Sequence, residues 1–404
     1  MVGLNAGAFH GLTGSYTHVD TGLAMHEYSG FYKLLLSVLE QTDRAGKERG
    51  EKMANIEKFR GAVLGEVCGD ALGYPLVTLN AGKIIRHYGP FGLRTMVKPK
   101  DKNAKALISD NSQMMLAAID GLLWGDAKKL TPRDGVYRGL MRWYYSQTGE
   151  EPKRGQKTWT RRQPHEKKVC LVRERFMHER RMPEQGVLNA LSNKKKGTIK
   201  VTVNESKGSA VLTRNVPTGL LFAKEPEQAF MEGVANSALT HSEPTAYLAG
   251  GAVASLTAYL ASGLSLPKSL AKVARMLATA KGGDEVTLLF TAAIEQANKH
   301  PAGKGGAWDH LDSIRSLGTG DTAAEALAIA VYCINAVDDP FEAVVVAANH
   351  DGRSTVTAAL TGALEGVRFG DSFLPAYWTD DVEGGDIARQ MADMLFVTEE
   401  KREV

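Results

Sequence analysis

Cysteine is scarce in this 404-residue chain: Cys68, Cys170 and Cys333 lie far apart, with no CxxC spacing. That argues against a disulfide framework or a cysteine-bound zinc and fits a reducing cytosol. Surplus charge is also small, at +3, too little to imply nucleic-acid binding by itself. No uncharged apolar run reaches the length of a membrane span. The richest, Ala246 to Leu264, carries Gly, Ser and Thr throughout and reads as a buried helix. The opening MVGLNAGAFHGLTG lacks a basic region and a continuous apolar run, which argues against a signal peptide. Strand-like runs are few, Gly197 to Val203 (GTIKVTV) being the clearest, and no repeat recurs at a fixed period. A cytoplasmic, helix-rich protein with no membrane contact, working as a monomer, is the expectation.

What is present is a soluble globular composition, 43% hydrophobic and 24% charged, in a chain long enough for one large domain or two. The stretch Phe59 to Pro75 (FRGAVLGEVCGDALGYP) organises the rest. Ile56, Phe59, Val63 and Val67 recur at helical spacing, and Asn55 stands where an N-cap would. Gly61, Gly65 and Gly69 fall on one face of that helix. Glycine costs a helix interior roughly 1 kcal/mol, so three in register predict a second backbone packed very close. Asp70 and Gly73 are expected to turn the chain out of the helix.

Residues 1–52 read as an added arm before a body at 53–404. Ser29 is placed to cap a helix running to Gln41, and Asp43 to Lys52 is a charged linker. A disordered tail, a helix packed on the body and a partner-contacting arm all fit that composition. Gly82 to Lys105 is polar and basic, with a turn at Gly89 to Gly92. Helical patterns then occupy Ser112–Leu123, Pro132–Ser146, Pro244–Ser262, Leu266–Ala280, Glu285–Lys299, Thr322–Val337, Phe341–Ala348, Thr355–Val367 and Asp386–Phe396. Between them, Glu151 to Lys200 is a basic insertion with fifteen Lys and Arg against five acids, with Trp159 and Phe176 among them. Such interleaving can bind nucleic acid or an acidic protein surface, though charge-rich insertions are usually solvated faces.

GAVLGEVCGDALGYP resembles the opening helix of the ADP-ribosylglycohydrolase family, whose members remove ADP-ribose from proteins. Three further stretches fit in the family's order. They are ISDNSQMMLAAIDGLL, then NESKGSAVLTRNVPTGLL with NSALTHSEPTAYLAGGAVA, then AANHDGRSTVTAALTGALEG. The resemblance runs from about Met53 to Gly370, and Arg181 to Leu191 (RMPEQGVLNAL) is similar to the family's small Pro-Gly turn before a short helix. It implies an all-α domain whose cleft holds two magnesium ions beside the ribose of ADP-ribose. The family's ligands come from a Thr-Asp-Asp-Thr run and an Asp-x-Asp-Thr run, and a Glu after the GDALG turn often joins the catalytic apparatus. Magnesium is small and hard and takes oxygen ligands in octahedral geometry; a pair of ions needs several carboxylates and can then orient the scissile bond and activate water.

This sequence departs at those positions. The first run is Ser109, Asp110, Asn111, Ser112, which leaves one carboxylate, Asp110, as the catalytic and metal-binding candidate. The second run puts Arg353 and Thr355 at the two acid positions and Val356 at the hydroxyl position. Val77 stands near where the Glu would fall. A guanidinium has no lone pair for a metal and repels cations, so magnesium is expected to be absent or weakly held. Arg353 is expected to pair with Asp110 or Asp351, and Asp351 and Glu66 are the nearest acids able to compensate. The nucleotide elements match better: Ser206, Lys207 and Gly208 fit a family Ser-x-Gly turn that can cradle a phosphate, and His241 with Pro244 fits a Thr-His-x-x-Pro step.

Three readings follow. The first is an immunity protein that neutralises an ADP-ribosyltransferase toxin by binding, with residues 1–52 blocking the toxin's active site. The second is an active hydrolase of ADP-ribosyl-arginine or a related ADP-ribosyl substrate. The third is an interaction protein that uses the basic insertion, with nucleic acid as a partner.

Overall fold

The computed structural model describes residues 55–101, 104–193, 196–300 and 306–402. The arm at 1–52, with its Ser29–Gln41 helix, lies outside the described residues. In chain order the helices are α1 (Asn55–Gly73), α2 (Ala81–Tyr88), α3 (Asp110–Lys128), α4 (Pro132–Thr148), α5 (Gln185–Ser192), α6 (Val216–Leu221), α7 (Pro226–Ser237) and α8 (Pro244–Ala261). They continue with α9 (Leu266–Thr279), α10 (Asp284–Lys299), α11 (Leu311–Leu317), α12 (Ala323–Ala336), α13 (Pro340–Ala348), α14 (Ser354–Phe369), α15 (Ala376–Thr379) and α16 (Gly385–Glu400). Among the described residues there is no strand; GTIKVTV contributes only an isolated bridge between Thr198 and Val201. Its alternation was misleading because Thr198 and Val201 close a tight turn on themselves. No single described helix is long and apolar enough to cross a membrane.

The seam between α1 and α14 is the spine. A β-carbon on Gly61, Gly65, Gly69 or Gly73 would collide with the backbone of Gly366, Gly362, Ala358 or Ser354. The glycine series therefore exists to let two helix backbones touch, as its spacing predicts. Asp70 does not end the helix: α1 continues through Gly73 and then tightens into a short 3-10 turn, Tyr74–Leu76. Outward from the seam, α13 packs on α14 and α16 on α1, while α3 pairs with α4, α7 with α8 and α10 with α12.

The polar stretch from Gly82 contains most of α2, a two-turn helix with Ala81, Ile84, Ile85 and Tyr88 at helical spacing; Asn80 caps it by accepting from the Lys83 N–H at 3.0 Å. The basic insertion exposes its cations, every Lys and Arg from Lys153 to Arg180 being exposed, and is anchored through other residues. Arg142 of α4, fully buried, donates to Asp120 of α3 (2.6 Å) and to Glu166 of the insertion (2.9 Å). Phe176 is buried, and Trp159 packs edge-on against Trp124 and Tyr137. Both aromatics are thus spent on fixing the insertion to the body, not on presenting a stacking face.

Candidate functional site

A cavity of about 320 Å³ opens where three loops meet the starts of α3 and α14. Its walls include Ser109, Asp110, Asn111, Met182, Glu184, Gly208, Asp321, Arg353, Thr355 and Val356. The two runs singled out in the sequence therefore face one space, although 242 positions separate Asn111 from Arg353.

The α3 wall is built on α1. Ser109 is the N-cap of α3 and accepts from the Asn111 N–H. Its hydroxyl donates to Asp70 (2.6 Å) and accepts from both the backbone and side-chain N–H groups of Asn111 (3.1 and 3.0 Å). A hydroxyl has one proton and two lone pairs, so Ser109 has none left for a metal. Behind it, the Ser112 hydroxyl lies 2.9 Å from Glu66 and 2.7 Å from Asp70. One proton cannot serve both, so one of these two carboxyls carries a proton of its own. Burial, with Asp70 beside it, pushes Glu66 well above the ordinary carboxyl range. Burial also lifts Asp70, to about 6. Asp110 is raised well above its usual value by burial and then by Asp70, with Glu184 adding repulsion. It lines the cavity and accepts the Glu184 N–H at 3.3 Å.

The α14 wall begins at Arg353, half-exposed at the cavity rim. Its Nε donates to Asp321 at 2.7 Å, and Asp321 also accepts from the Thr319 hydroxyl at 2.8 Å. The expected pairing with Asp110 or Asp351 is corrected: Asp110 faces Glu184, and Asp351 is held by Arg315 (2.7 Å) and the Ala81 N–H (2.6 Å) at the start of α2. The guanidinium takes the nearest exposed acid, which needs no desolvation of a buried carboxylate. Thr355 and Val356 follow, both buried.

Between the walls sits a residue that the motif reading did not single out. Glu184 follows Met182 and Pro183, and Met182 is held in the left-handed region at φ 59°, an uncommon conformation outside glycine. That turn carries the Glu184 carboxylate onto the Ser206–Gly208 turn. It accepts from the Ser206 hydroxyl (2.9 Å), lies 3.3 Å from His241 Nε2 and is faced by the Ala210 N–H. Although burial opposes ionisation, hydrogen bonding from His241, from Ser206 and from the Ala210 N–H lowers Glu184 to about 2. Lys207, by contrast, does not line the cavity; its ammonium goes to Glu285 at 2.6 Å, with Glu243 at 3.9 Å. Asp321 was equally unmarked, an acid in a Gly-Thr-Gly-Asp-Thr loop; the only signal for either residue is an acid inside a tight turn.

The donor set does not fit a pair of magnesium ions. On the α14 side Arg353 supplies a cation and no carboxylate, Ser109 is engaged by Asp70 and Asn111, and Glu184 is held by Ser206 and His241. Among the described residues, three metal-capable side chains come within 4.8 Å of one another at Asp120, His165 and Glu166. None of them lines this cavity, and the Arg142 guanidinium already bridges the two acids.

An all-helical body with its cavity between these two helix starts is the architecture of ADP-ribosylglycohydrolases. The model of the ADP-ribosylglycohydrolase family matches residues 51–404, and the chain belongs to that family. It is similar to the ADP-ribosylarginine hydrolase Tri1 of Serratia proteamaculans (strain 568), at 25% identity over 195 residues. That match spans about half of each protein, 48% of this chain and 48% of the relative. A solved structure described as an ADP-ribosylglycohydrolase-related protein complex superposes with a TM-score of 0.58 at 18% identity, covering 85% of this chain and 99% of that one. At that identity the likeness concerns the fold.

Proposed function

We propose that this chain is a member of its family that works by binding, with the dinuclear metal site dismantled. In this reading it is a cytoplasmic immunity protein, monomeric, that neutralises an ADP-ribosyltransferase toxin by occluding the toxin's active site through residues 1–52. The observation that carries the loss of metal chemistry is Arg353, a permanent cation at a ligand position, paired with Asp321 at 2.7 Å and followed by Thr355 and Val356. Magnesium has no part in this role. The partner is supported by the composition of the arm, which precedes the segment matched by the family.

The test is co-expression with an ADP-ribosyltransferase toxin, using the full chain and a chain lacking residues 1–52. The full chain is expected to protect and to be captured with the toxin, and the truncated chain to do neither. Protection that survives the truncation would remove the arm from the account. A second reading is favoured by Asp110, which still faces the cavity, and by the activity named for the Serratia relative. It is a hydrolase that releases ADP-ribose from ADP-ribosyl-arginine. It requires magnesium-stimulated release that Asp110→Ala abolishes; a flat time course across divalent ions would dismiss it.

A further inference from the structure

We propose that Glu184 is the specificity-determining residue of this cavity: its carboxylate fills the anion seat at the Ser206–Ala210 turn and keeps a ligand diphosphate out. The inference is independent of the toxin reading, since it concerns what the cavity itself admits.

The seat is built for negative charge. Arg214 is completely buried, and its Nε and Nη1 have no hydrogen-bond partner. Its Nη2 donates to the Thr240 hydroxyl at 2.5 Å and the Ser237 carbonyl at 3.3 Å. Since Thr240 accepts there, its own proton is free to donate to His241 Nδ1, 2.9 Å away. That assigns the His241 proton to Nε2, which donates to Glu184. A relay of donors thus runs from a buried guanidinium to the Glu184 carboxylate, joined there by the Ser206 hydroxyl and the Ala210 N–H. A buried cation without a counter-ion is costly, and Glu184 is the anion that answers it.

The carboxylate also fits tightly. Gly208 donates its N–H to Ser206 Oγ at 3.1 Å, and a β-carbon on Gly208 would collide with both Glu184 oxygens. A phosphate entering the same turn would meet a fixed negative charge and find its donors taken. Removing the Glu184 side chain would leave the relay and the Arg214 charge facing an empty seat of anion size.

The experiment is calorimetric titration of the full chain with ADP-ribose and with inorganic pyrophosphate, without metal. Wild type is compared with Glu184→Ala and Glu184→Gln, and folding is checked by circular dichroism. Glu184→Ala is expected to bind both probes at least tenfold more tightly than wild type. Glu184→Gln, which keeps the volume but not the charge, should fall between them. Pyrophosphate should raise the melting temperature of Glu184→Ala and leave wild type unmoved. Wild type binding either probe as tightly as Glu184→Ala would overturn the proposal, and so would the absence of binding in all three folded proteins. Neither outcome bears on toxin capture, so the two readings fail separately.

Discussion

At one wall of the cavity, Ser109, Asp110 and Asn111 stand over two more buried carboxyls, Asp70 and Glu66; at the other, Arg353, Thr355 and Val356 present a single cation paired with Asp321 at the rim. The α3 wall carries acids placed so deep that burial raises all three above the ordinary carboxyl range, Asp70 to about 6. The α14 wall presents no acid of its own, and its guanidinium pairs with the exposed carboxylate of Asp321. Glu184, between them, is answered by the buried Arg214 through Thr240 and His241. Glu66 and Asp110 are shifted toward their protonated forms, Asp70 is held by the Ser109 and Ser112 hydroxyls, and Asp321 and Glu184 are met by Arg353 and by Ser206 with His241.

The most disruptive way to break the comparison is to strike what both walls share. Gly65→Ala should drive a methyl into the Gly362 carbonyl across the α1–α14 seam. A loss of about 3 kcal/mol or more is expected, read as a lower denaturation midpoint, with both walls lost together.

Acid should separate the two sides. Glu184 is lowered to about 2, so the stability it contributes is present above the ordinary glutamate range and is lost as pH falls through 2. Glu184→Gln should flatten that acid limb by about 3 kcal/mol in pH-dependent unfolding. Asp70 is raised to about 6, so its contribution is present below the ordinary aspartate range and is lost as pH rises through 6. Asp70→Asn should remove that opposite slope. Finding both slopes of the same sign would contradict the contrast.

Restoring the α14 wall is a smaller but more pointed change. The combined variant Arg353→Asp, Thr355→Asp, Val356→Thr should bind Mn²⁺ at least tenfold more tightly than wild type, since hard oxygen donors replace a cation. Smallest of all, Arg353→Ala should alter stability by under about 0.5 kcal/mol, because the pair with Asp321 is half-exposed on both sides.

Much of the architecture was legible in advance. Glycines at four-residue spacing announce a close backbone, and they lie against α14. Amphipathic spacing located α3, α4, α8 to α10, α12 to α14 and α16 to within a few residues. It missed α2, α6, α7, α11 and α15, all of twelve residues or fewer and so giving little periodicity to read, and it took GTIKVTV for a strand because alternation alone cannot distinguish a strand from a turn. At the site, the substitutions at Asn111, Arg353, Thr355 and Val356 are read directly from the chain. Glu184 and Asp321 are not, because each acts only through a neighbour far away in sequence: His241 for one, Arg353 for the other. The partner of Arg353 depends on which acid is already engaged, and that is settled by packing rather than by motif.

The central claim is that this cavity does not retain a pair of divalent cations. Titration of the full wild-type chain with Mn²⁺, followed by electron paramagnetic resonance, tests it most directly. The account predicts that the free-ion signal persists through millimolar Mn²⁺ with no spin-coupled species. Two manganese ions bound at micromolar concentration and coupled to each other, in a manner abolished by Asp110→Ala, would contradict it.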